Sequence, residues 1–517
     1  MAFTRRNVWE LGGDWAAPIL WYARGVKAMK ARALNKRNSW RFFGAIHGFN
    51  RNMWQRVGYF SSSDTMPSSS DVSTFWAQCQ HGSWYFLPWH RGYLIALEAQ
   101  IRDAIKTLPN APTDWALPYW NYFKPNENKL PPAFASPNWP DGHGDNPLYV
   151  KQRYGPNDDG NVFIPLNWVN QNALGDPAFT GVASGGSPGF GGVNTGFSHG
   201  GQVHGDLEAQ PHDQVHGLVG GGDQQTLGLM SWPDLAGLDP IFWLHHANID
   251  RLWEVWRRNP SSHVNPSQSN WKNGPAGVGG RPFVMPMPGN VSWTYTPDQM
   301  SNLSTLDYTY DDFSPPAGTP QPVARLQRLG VPTAAAEALV RSPVMAESKN
   351  VELLGANQQP LRLVGTEART SVALDAAVRG KVSESLRAAA SPAAAVRAAP
   401  AEPDRIFLNL ENVQGLNDAT AFSVYINVPD GADPANYPNN LAGNVALFGV
   451  SKASVANEEH AGDGLTFVLE ITHLIDTLHL AGGLTADQLH VRLVPLKPVP
   501  EDAQIRIGRI SIFRQGA

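Results

Sequence analysis

The sequence predicts a mainly α-helical N-terminal domain followed by a β-rich C-terminal domain that forms a sandwich or a barrel. Residues 79–105 and 239–256 each place apolar side chains three and four positions apart, which is the spacing of one helical face. From residue 351 onward, short β-branched segments alternate between apolar and polar residues and end at turn residues. A length of 517 residues also exceeds what a single core supports, so at least two domains are expected.

Composition and charge exclude several classes of protein. The net charge is −5 and no basic run is present, which argues against binding to nucleic acid or to an anionic membrane surface. No stretch reaches the ~18 consecutive apolar residues that a membrane-spanning helix needs. The single cysteine, Cys79, rules out an intrachain disulfide framework and is typical of a reducing compartment.

The N-terminus gives no clear targeting signal. Arg5 and Arg6 faintly resemble a twin-arginine signal, but residues 7–14 (NVWELGGD) are not an apolar segment. We therefore expect a cytoplasmic protein without a cleaved signal, and export together with a partner protein stays open.

The first helical stretches carry three histidines beside apolar faces. His47 lies on one face of the aromatic-rich, helical residues 15–58, and His90 begins the apolar stripe of the helix within residues 79–105. His81 lies in the loop just before that helix. A ligand on a loop and a ligand in the first helical turn can converge on one metal ion.

A short segment further along carries two more histidines. Residues 207–222 predict a helix that begins at Pro211 and ends at a glycine run. His212 and His216 are four positions apart, so both side chains point the same way and can bind one ion.

Residues 239–256 (DPIFWLHHANIDRLWEVW) predict the central helix of the domain. Asp239 suits the N-cap and Pro240 the first helical position. His246 lies at the centre of an otherwise apolar face. Asp250 is one turn away, where a carboxylate can orient an imidazole that binds a metal.

The connection over residues 124–200 is dense in Gly, Pro and Asn and shows no clear periodicity, which is often the mark of a functional loop. His143 and His199 lie within it and His204 lies just beyond it. We expect these three histidines at the surface and not among the ligands.

Two sets of three histidines stand out: His47, His81 and His90 form the first set, and His212, His216 and His246 form the second set. Sites built from imidazole alone suit zinc or copper. Three ligands with an open position are typical of a catalytic site. On ligand type alone, zinc and copper remain open, and so do one metal pair and two separate sites.

Two motifs resemble the signatures of the tyrosinase and polyphenol oxidase family: HGSWYFLPWHRGYLIALE at 81–98 and DPIFWLHHANID at 239–250. The YTY sequence at 308–310 is similar to the tyrosine motif that ends the family's central domain, so the resemblance covers residues 1–313 as a catalytic domain. It implies a four-helix bundle that holds two copper ions (a type 3 site), with O₂ as co-substrate.

The resemblance also implies an activity. The expected enzyme is an oxidoreductase that hydroxylates monophenols at the ortho position and oxidises o-diphenols to o-quinones. The alternatives are a catechol oxidase without monophenolase activity, an oxygen-binding protein of the same copper class, and a protein with structural zinc only. Small phenols are the expected partners, while homo-oligomerisation and a copper-loading partner stay open.

Carried over by position, the resemblance assigns the first copper to His47, His81 and His90, and the second copper to His212, His216 and His246, the second histidine of the pair 245–246. Cys79 matches the position where fungal members link a cysteine sulfur to the ligand that corresponds to His81, which suggests a thioether. Glu208 resembles a glutamate that holds a water near the coppers in plant enzymes. Asp213 occupies a position linked to monophenol or diphenol preference, where many monophenol-active members carry Asn.

Three further residues are expected in the substrate pocket. By the same resemblance, Phe242 packs over the copper pair. Trp232 or Pro233 lies where some relatives have a bulky gate.

The C-terminal region is predicted as a Pro- and Ala-rich linker over 314–347 and a β-rich domain over 348–517. An Ala- and Pro-rich insert at about 380–403 is expected to be an exposed, cleavable loop. Strands are expected at 361–365, 405–410, 422–428, 444–450, 465–471, 490–496 and 505–513. The region resembles the C-terminal domain of plant polyphenol oxidases, so we hypothesise that it is a lid that keeps the copper site latent.

Overall fold

The chain folds into a helical N-terminal domain and a β-rich C-terminal domain, which confirms the predicted fold class. The computed structural model describes residues 3–259, 263–317, 322–340, 350–390, 403–456, 461–482 and 485–516. None of the helices within these ranges is long and apolar enough to cross a membrane.

The N-terminal domain is built mainly from helices. They are α1 (Ala17–Lys30), α2 (Trp40–His47), α3 (Arg51–Arg56), α4 (Ser69–Phe75), α5 (Phe86–Ile105), α6 (Pro132–Ala135), α7 (Gln214–Gly220), α8 (Pro233–Ala236), α9 (Pro240–Arg258), α10 (Ser269–Asn273) and α11 (Pro297–Met300). A π-helical turn, Glu208–Asp213, runs directly into α7. Four of these helices, α2, α5, α7 and α9, each carry one of the six histidines that the sequence singles out.

Two small sheets complete this domain. Their strands are β1 (Phe3–Arg5), β2 (Phe283–Met287), β3 (Val291–Tyr295) and β4 (Tyr308–Tyr310). β1 pairs in parallel with β4, and β2 pairs antiparallel with β3. The first and last strands of the domain are thus held together.

Helix α9 begins as predicted and forms part of the domain's core. The side chain of Asp239 accepts a hydrogen bond from the backbone N–H of Ile241 at the N-cap. Every residue from Pro240 to Trp256 is buried. A helix that is buried on all sides is a core helix, and α9 packs against α5 in this position.

The charged side chains between α5 and α9 form a buried ionic network centred on Asp250. Its carboxylate accepts hydrogen bonds from Arg91 (2.5 Å), from Arg5 (3.1 Å) and from the hydroxyl groups of both tyrosines of β4 (2.6 Å each). The predicted role of Asp250 in orienting His246 is therefore wrong, because these four groups occupy its oxygens. The network instead explains why a tyrosine motif closes this domain.

The long Gly- and Pro-rich connection packs against the helices and does not project into solvent. His199 and His204 are only 7% and 6% exposed, so their predicted surface position is wrong, whereas His143 is exposed as predicted. Residues 198–201 hydrogen-bond to the backbone of His81 through both its N–H and its carbonyl group. The connection therefore forms one wall around the loop that precedes α5.

The C-terminal domain is an antiparallel sheet that nearly closes into a barrel. Its strands are β5 (Val351–Ala356), β6 (Leu361–Arg362), β7 (Ala368–Leu374), β8 (Arg405–Gln414), β9 (Ala421–Ile426), β10 (Leu441–Ala446), β11 (Leu465–Glu470), β12 (Gln488–Pro495) and β13 (Arg506–Gln515). The order is β10-β9-β12-β7-β5-β13-β8-β11, with β6 added on β13. The end strands β10 and β11 lie beside each other, since a side chain at Gly443 would meet Leu469.

Five helices lie in the described part of the C-terminal region; the first two lie in the predicted linker and the third overlaps the predicted loop. They are α12 (Pro322–Arg328), α13 (Thr333–Val340), α14 (Ala376–Ala390), α15 (Val450–Ala453) and α16 (Thr472–Leu480). The predicted loop at 380–403 is wrong over 380–390, because α14 buries Val382 and Leu386 in the barrel core. Residues 391–402 of that insert and 318–321 and 341–347 of the predicted linker lie outside the described residues.

The two domains are docked through polar contacts on several sides. Asp176 of the N-terminal domain pairs with Arg405 at 2.9 Å. The side-chain amide of Asn444 in β10 donates to the backbone oxygen of Asn167 at 2.8 Å. The backbone N–H of Thr466 in β11 donates to the oxygen of Gln202, also at 2.8 Å. Both end strands of the barrel therefore face the helical domain.

Candidate metal centre

The first set of histidines converges in the core of the helical domain. His47 is the last residue of α2, His90 lies in the first turns of α5, and His81 lies in the loop before α5, as predicted. All three are buried, and their ring centroids are 5.3 to 6.0 Å apart. A donor atom of each lies within 4.8 Å of the others, which is close enough to hold one metal ion after small adjustments.

The second set converges in the same way. His212 lies in the π-helical turn, His216 in α7 and His246 in α9, with ring centroids 4.4 to 5.6 Å apart. The Nε2 atoms of His216 and His246 are 3.4 Å apart. This distance is close to the ~3.4 Å that separates two nitrogen ligands of a tetrahedral metal bound at ~2.1 Å.

The two sets share one pocket. The rings of His90 and His246, one from each set, stack at 4.3 Å with an interplanar angle of 14°. His81 and His212 lie 5.9 Å apart across the same boundary. Between the two arrangements that the sequence leaves open, the geometry favours one metal pair.

Hydrogen bonds orient the imidazoles with one nitrogen turned away from the backbone. His47 Nδ1 donates to the oxygen of Pro233, His90 Nδ1 to that of Phe86 and His216 Nδ1 to that of Met230, at 2.7 to 2.8 Å. The Nε2 atoms of His47 and His212 are buried without a hydrogen-bond partner. Buried nitrogens without partners are costly unless a metal binds them, so the residues fit a pair of copper ions.

Burial also sets the charge of the site. Desolvation lowers the pKa of every histidine in both sets, to about 3 for His47 and for His216. All six are therefore neutral at pH 7, and neutral imidazole is the form that binds a metal.

His245 lies next to the second set and both of its ring nitrogens are buried without a partner. One of them is within 4.8 Å of donor atoms of the second set, so proximity alone does not choose between His245 and His246. The stacking of His246 on His90 favours His246, because it places this ring between the two sets. The face of α9 read from the sequence indicates the same residue.

Cys79 lies against the first set. Its sulfur is 3.5 Å from both ring nitrogens of His81 and 3.3 Å from Nε2 of His90. Burial raises the pKa of the thiol well above its usual value. This position is compatible with the thioether to His81, which stays a prediction.

Glu208 lies at the loop that carries His81. Both of its carboxylate oxygens are 3.0 Å from the backbone nitrogen of Gly82, which donates to them. Gly82 has φ +56°, and a Cβ there would lie 2.5 Å from the backbone of Gly201, so only glycine fits. Burial raises the pKa of Glu208 to about 8, which suits a group that exchanges protons near neutral pH.

Asp213 bridges two histidines. Its Oδ1 accepts from Nδ1 of His212 at 2.9 Å and its Oδ2 from Nδ1 of His204 at 2.7 Å. Although burial opposes the charged form, Glu208 and Asp213 raise the pKa of His204 to about 9. His204 was not among the site residues predicted from the sequence, where it was expected at the surface.

Of the three predicted pocket residues, Phe242 and Pro233 contact the histidines. Phe242 packs against both sets, at 4.9 Å from His47 and 4.1 Å from His246. Trp232 is buried and Pro233 supplies the carbonyl that holds His47. The role of Trp232 or Pro233 as a gate stays a prediction.

The ring of Phe448, from the C-terminal domain, covers the centre. It stacks on His216 at 4.2 Å and lies 5.6 and 5.7 Å from His81 and His212. The predicted strand over 444–450 ends early at Ala446, which leaves Phe448 in the loop before α15. The side chain is only 1% exposed.

Comparison with known proteins identifies both domains. Residues 37–259 match the common central domain of tyrosinase, and residues 350–515 match a domain of unknown function, DUF7868. The chain is 31% identical over 99% of both lengths to "Tyrosinase HcTyr1" of Hahella sp. (strain CCB-MM4). It is 30% identical over 208 residues, 37% of this chain and 32% of the relative, to a chloroplastic polyphenol oxidase of Malus domestica.

Solved structures show the same two-domain fold. The structure of latent apple tyrosinase aligns with a TM-score of 0.60 at 19% identity over 99% of this chain and 97% of that one. A recombinant latent aurone synthase (polyphenol oxidase) aligns with a TM-score of 0.60 at 19% identity over 100% and 90%. The relative that is 31% identical over the full length shows that the chain belongs to the tyrosinase family, enzymes that oxidise phenols with O₂ at a pair of copper ions, and the match to the family's central domain agrees.

Proposed function

We propose that this chain oxidises o-diphenols to o-quinones and hydroxylates monophenols at the ortho position, and that its C-terminal domain holds both activities back. Bound copper supplies the site at which O₂ accepts electrons from the phenol. Two o-diphenols and one O₂ give two o-quinones and two waters, whereas one monophenol and one O₂ give one o-quinone and one water.

The contact that carries the proposal is the stacking of Phe448 on His216 at 4.2 Å. A phenol ring has to lie beside the same histidines to react, and it is similar in size and shape to the side chain of Phe448. Substrate and Phe448 therefore compete for one volume. Full activity requires the loop after β10 to move away from the helical domain.

The protein's own residues divide the remaining tasks. Phe242 and the histidine rings form an apolar, aromatic wall against which a phenol ring packs. Glu208, buried beside the loop that carries His81, takes the hydroxyl proton of the phenol. The closed helical core excludes water from the reacting oxygens.

A second candidate is a catechol oxidase without monophenolase activity. One observation favours it: the two oxygens of Asp213 are engaged by His212 and His204. These two bonds fix the orientation of Asp213, so its carboxylate is less free to turn towards a water held by Glu208. Hydroxylation depends on removal of the monophenol's hydroxyl proton, so a poorly held water would reduce hydroxylation before it reduces diphenol oxidation.

The test uses the copper-loaded full chain before and after limited proteolysis. We expect low oxidation of 4-methylcatechol by the intact protein and at least tenfold more after cleavage displaces the C-terminal domain. Production of o-quinone from a monophenol such as tyramine, after a lag, supports the first candidate, and its absence supports the second. Reversible O₂ binding without turnover after cleavage would contradict both and indicate an oxygen-binding protein.

A further inference from the structure

His204 is a buried residue that the activity described above does not use. It is 6% exposed, and its Nδ1 donates to Oδ2 of Asp213 at 2.7 Å. The other oxygen of Asp213 accepts from Nδ1 of His212 at 2.9 Å, and the Nε2 atom of His212 is buried without a partner. A continuous chain of hydrogen bonds thus runs from His204 through Asp213 to a nitrogen placed for a metal.

The partner of His212 differs from those of the other described ligands. His47, His90 and His216 each donate to a backbone carbonyl, whose position the helices and loops already fix. His212 donates to a side-chain carboxylate, which can rotate unless a second group holds it. His204 supplies that second group, and outer partners of this kind typically change metal affinity or activity by about 10- to 100-fold.

The position of His212 makes such support necessary. It lies in the π-helical turn, where Gln210 has non-helical backbone angles, so the helix ladder constrains this ligand less than it constrains His216 in α7 or His246 in α9. A side-chain bridge therefore replaces the rigidity that regular helix gives to the other two members of the second set.

We propose that His204 is a positioning residue of the second metal site, which holds Asp213 so that Asp213 fixes the ring of His212. The inference rests on the second set binding copper. Because His204 also lines the small cavity beside Phe448 and His81, a direct contact with substrate is the rival explanation that the experiment has to separate.

The experiment measures copper affinity of the second set in the full-length chain. In a His47→Ala/Cys79→Ser/His90→Ala background only His81 remains of the four donors gathered around the first set, and copper(I) is titrated against a chromogenic copper(I) chelator. We expect His204→Ala to raise the dissociation constant of the remaining ion by about tenfold. We expect His204→Asn to restore most of the affinity, because its amide nitrogen lies close to the position of Nδ1 and donates to Asp213.

The matched control is His199→Ala. His199 is a buried histidine that lines the same cavity, but it donates to the backbone of Cys79 and has no described contact with Asp213. We expect it to leave the affinity of the second set within twofold, and equal unfolding midpoints of the metal-free variants exclude a folding defect. Unchanged affinity in His204→Ala, or no recovery in His204→Asn, contradicts the proposal.

One further result would show that the second set does not bind copper, which is the assumption on which the role of His204 rests. If the His47→Ala/Cys79→Ser/His90→Ala chain with an intact His204 binds no copper, the assignment of the second set is wrong and the inference falls with it. In the otherwise wild-type chain, the near-ultraviolet band that hydrogen peroxide produces should weaken in His204→Ala in proportion to the lost copper and return in His204→Asn. A substrate contact alone would change KM and leave this band unchanged.

Discussion

Replacing Phe448 by alanine is expected to activate the full-length protein without cleavage. The ring is 1% exposed and stacks on His216, so truncation removes both a steric block and a large apolar contact between the domains. Truncating a buried Phe costs about 3 kcal/mol or more. If the whole amount weakens docking of the C-terminal domain, the open fraction rises by up to about 100-fold, at ~1.4 kcal/mol per factor of ten.

The assay is oxidation of 4-methylcatechol by copper-loaded protein, followed by quinone absorbance. We expect at least a tenfold increase for Phe448→Ala, approaching the rate that proteolysis of the wild type gives. The control is Leu447→Ala, since Leu447 is equally buried but belongs to the barrel core. A rate for Phe448→Ala that stays at the wild-type level, with copper content unchanged, would refute the account of Phe448 as the block.

Three further predictions concern Asp250 in the core of the helical domain, Glu208 beside the loop that carries His81, and Asp418 in the C-terminal domain. Asp250→Ala leaves two buried arginines without their shared carboxylate. It should therefore lower the free energy of unfolding, measured in urea, by about 3–5 kcal/mol. The control is Asp298→Ala, in an exposed ion pair, which should cost under ~1 kcal/mol. Glu208→Gln keeps an acceptor for Gly82 but loses the base, so monophenol hydroxylation should fall by about 100-fold or more and diphenol oxidation by much less; equal losses would count against this role. Burial raises the pKa of Asp418 to about 7, so the folded protein binds an extra proton between the unfolded pKa near 3.8 and that value. Stability should therefore fall as pH rises through this window, and Asp418→Asn should flatten the fall, measured as Tm against pH.

The helical periodicity of the sequence predicted much of the centre. His90 and His246 each lie on an apolar stripe of a long helix, and the spacing of four between His212 and His216 brings them together even though part of their segment is a π-helical turn. These positions follow from helix geometry, because residues three or four apart in the sequence lie on the same face of a helix.

Contacts between distant segments were harder to predict. His204 follows a segment without periodicity, so nothing local indicates that it is buried or faces Asp213. In the sequence, Phe448 is one more apolar residue of the predicted strand over 444–450. Only the docking of the barrel against the helical domain places its ring on His216. Asp250 was assigned to His246 by sequence proximity, but Arg5 and Arg91 reach it from far along the chain.

Alanine content misled the prediction of α14. The bias towards Ala and Pro over 380–403 was interpreted as a loop, yet the prolines lie beyond residue 390 and the stretch before them contains strong helix formers. Val382 and Leu386, four positions apart, form the face that packs on the barrel. Treating the two halves of this insert separately predicts the helix.

The measurement that tests the central claim most directly is the metal content of the full-length protein, with an absorption spectrum before and after addition of hydrogen peroxide. The account predicts two coppers per chain and a new, intense near-ultraviolet band. His246→Ala should abolish the band and leave about one copper, whereas His143→Ala, at an exposed histidine outside both sets, should change neither. One metal per chain, or zinc without a new band, would contradict a copper pair held by the two sets of histidines.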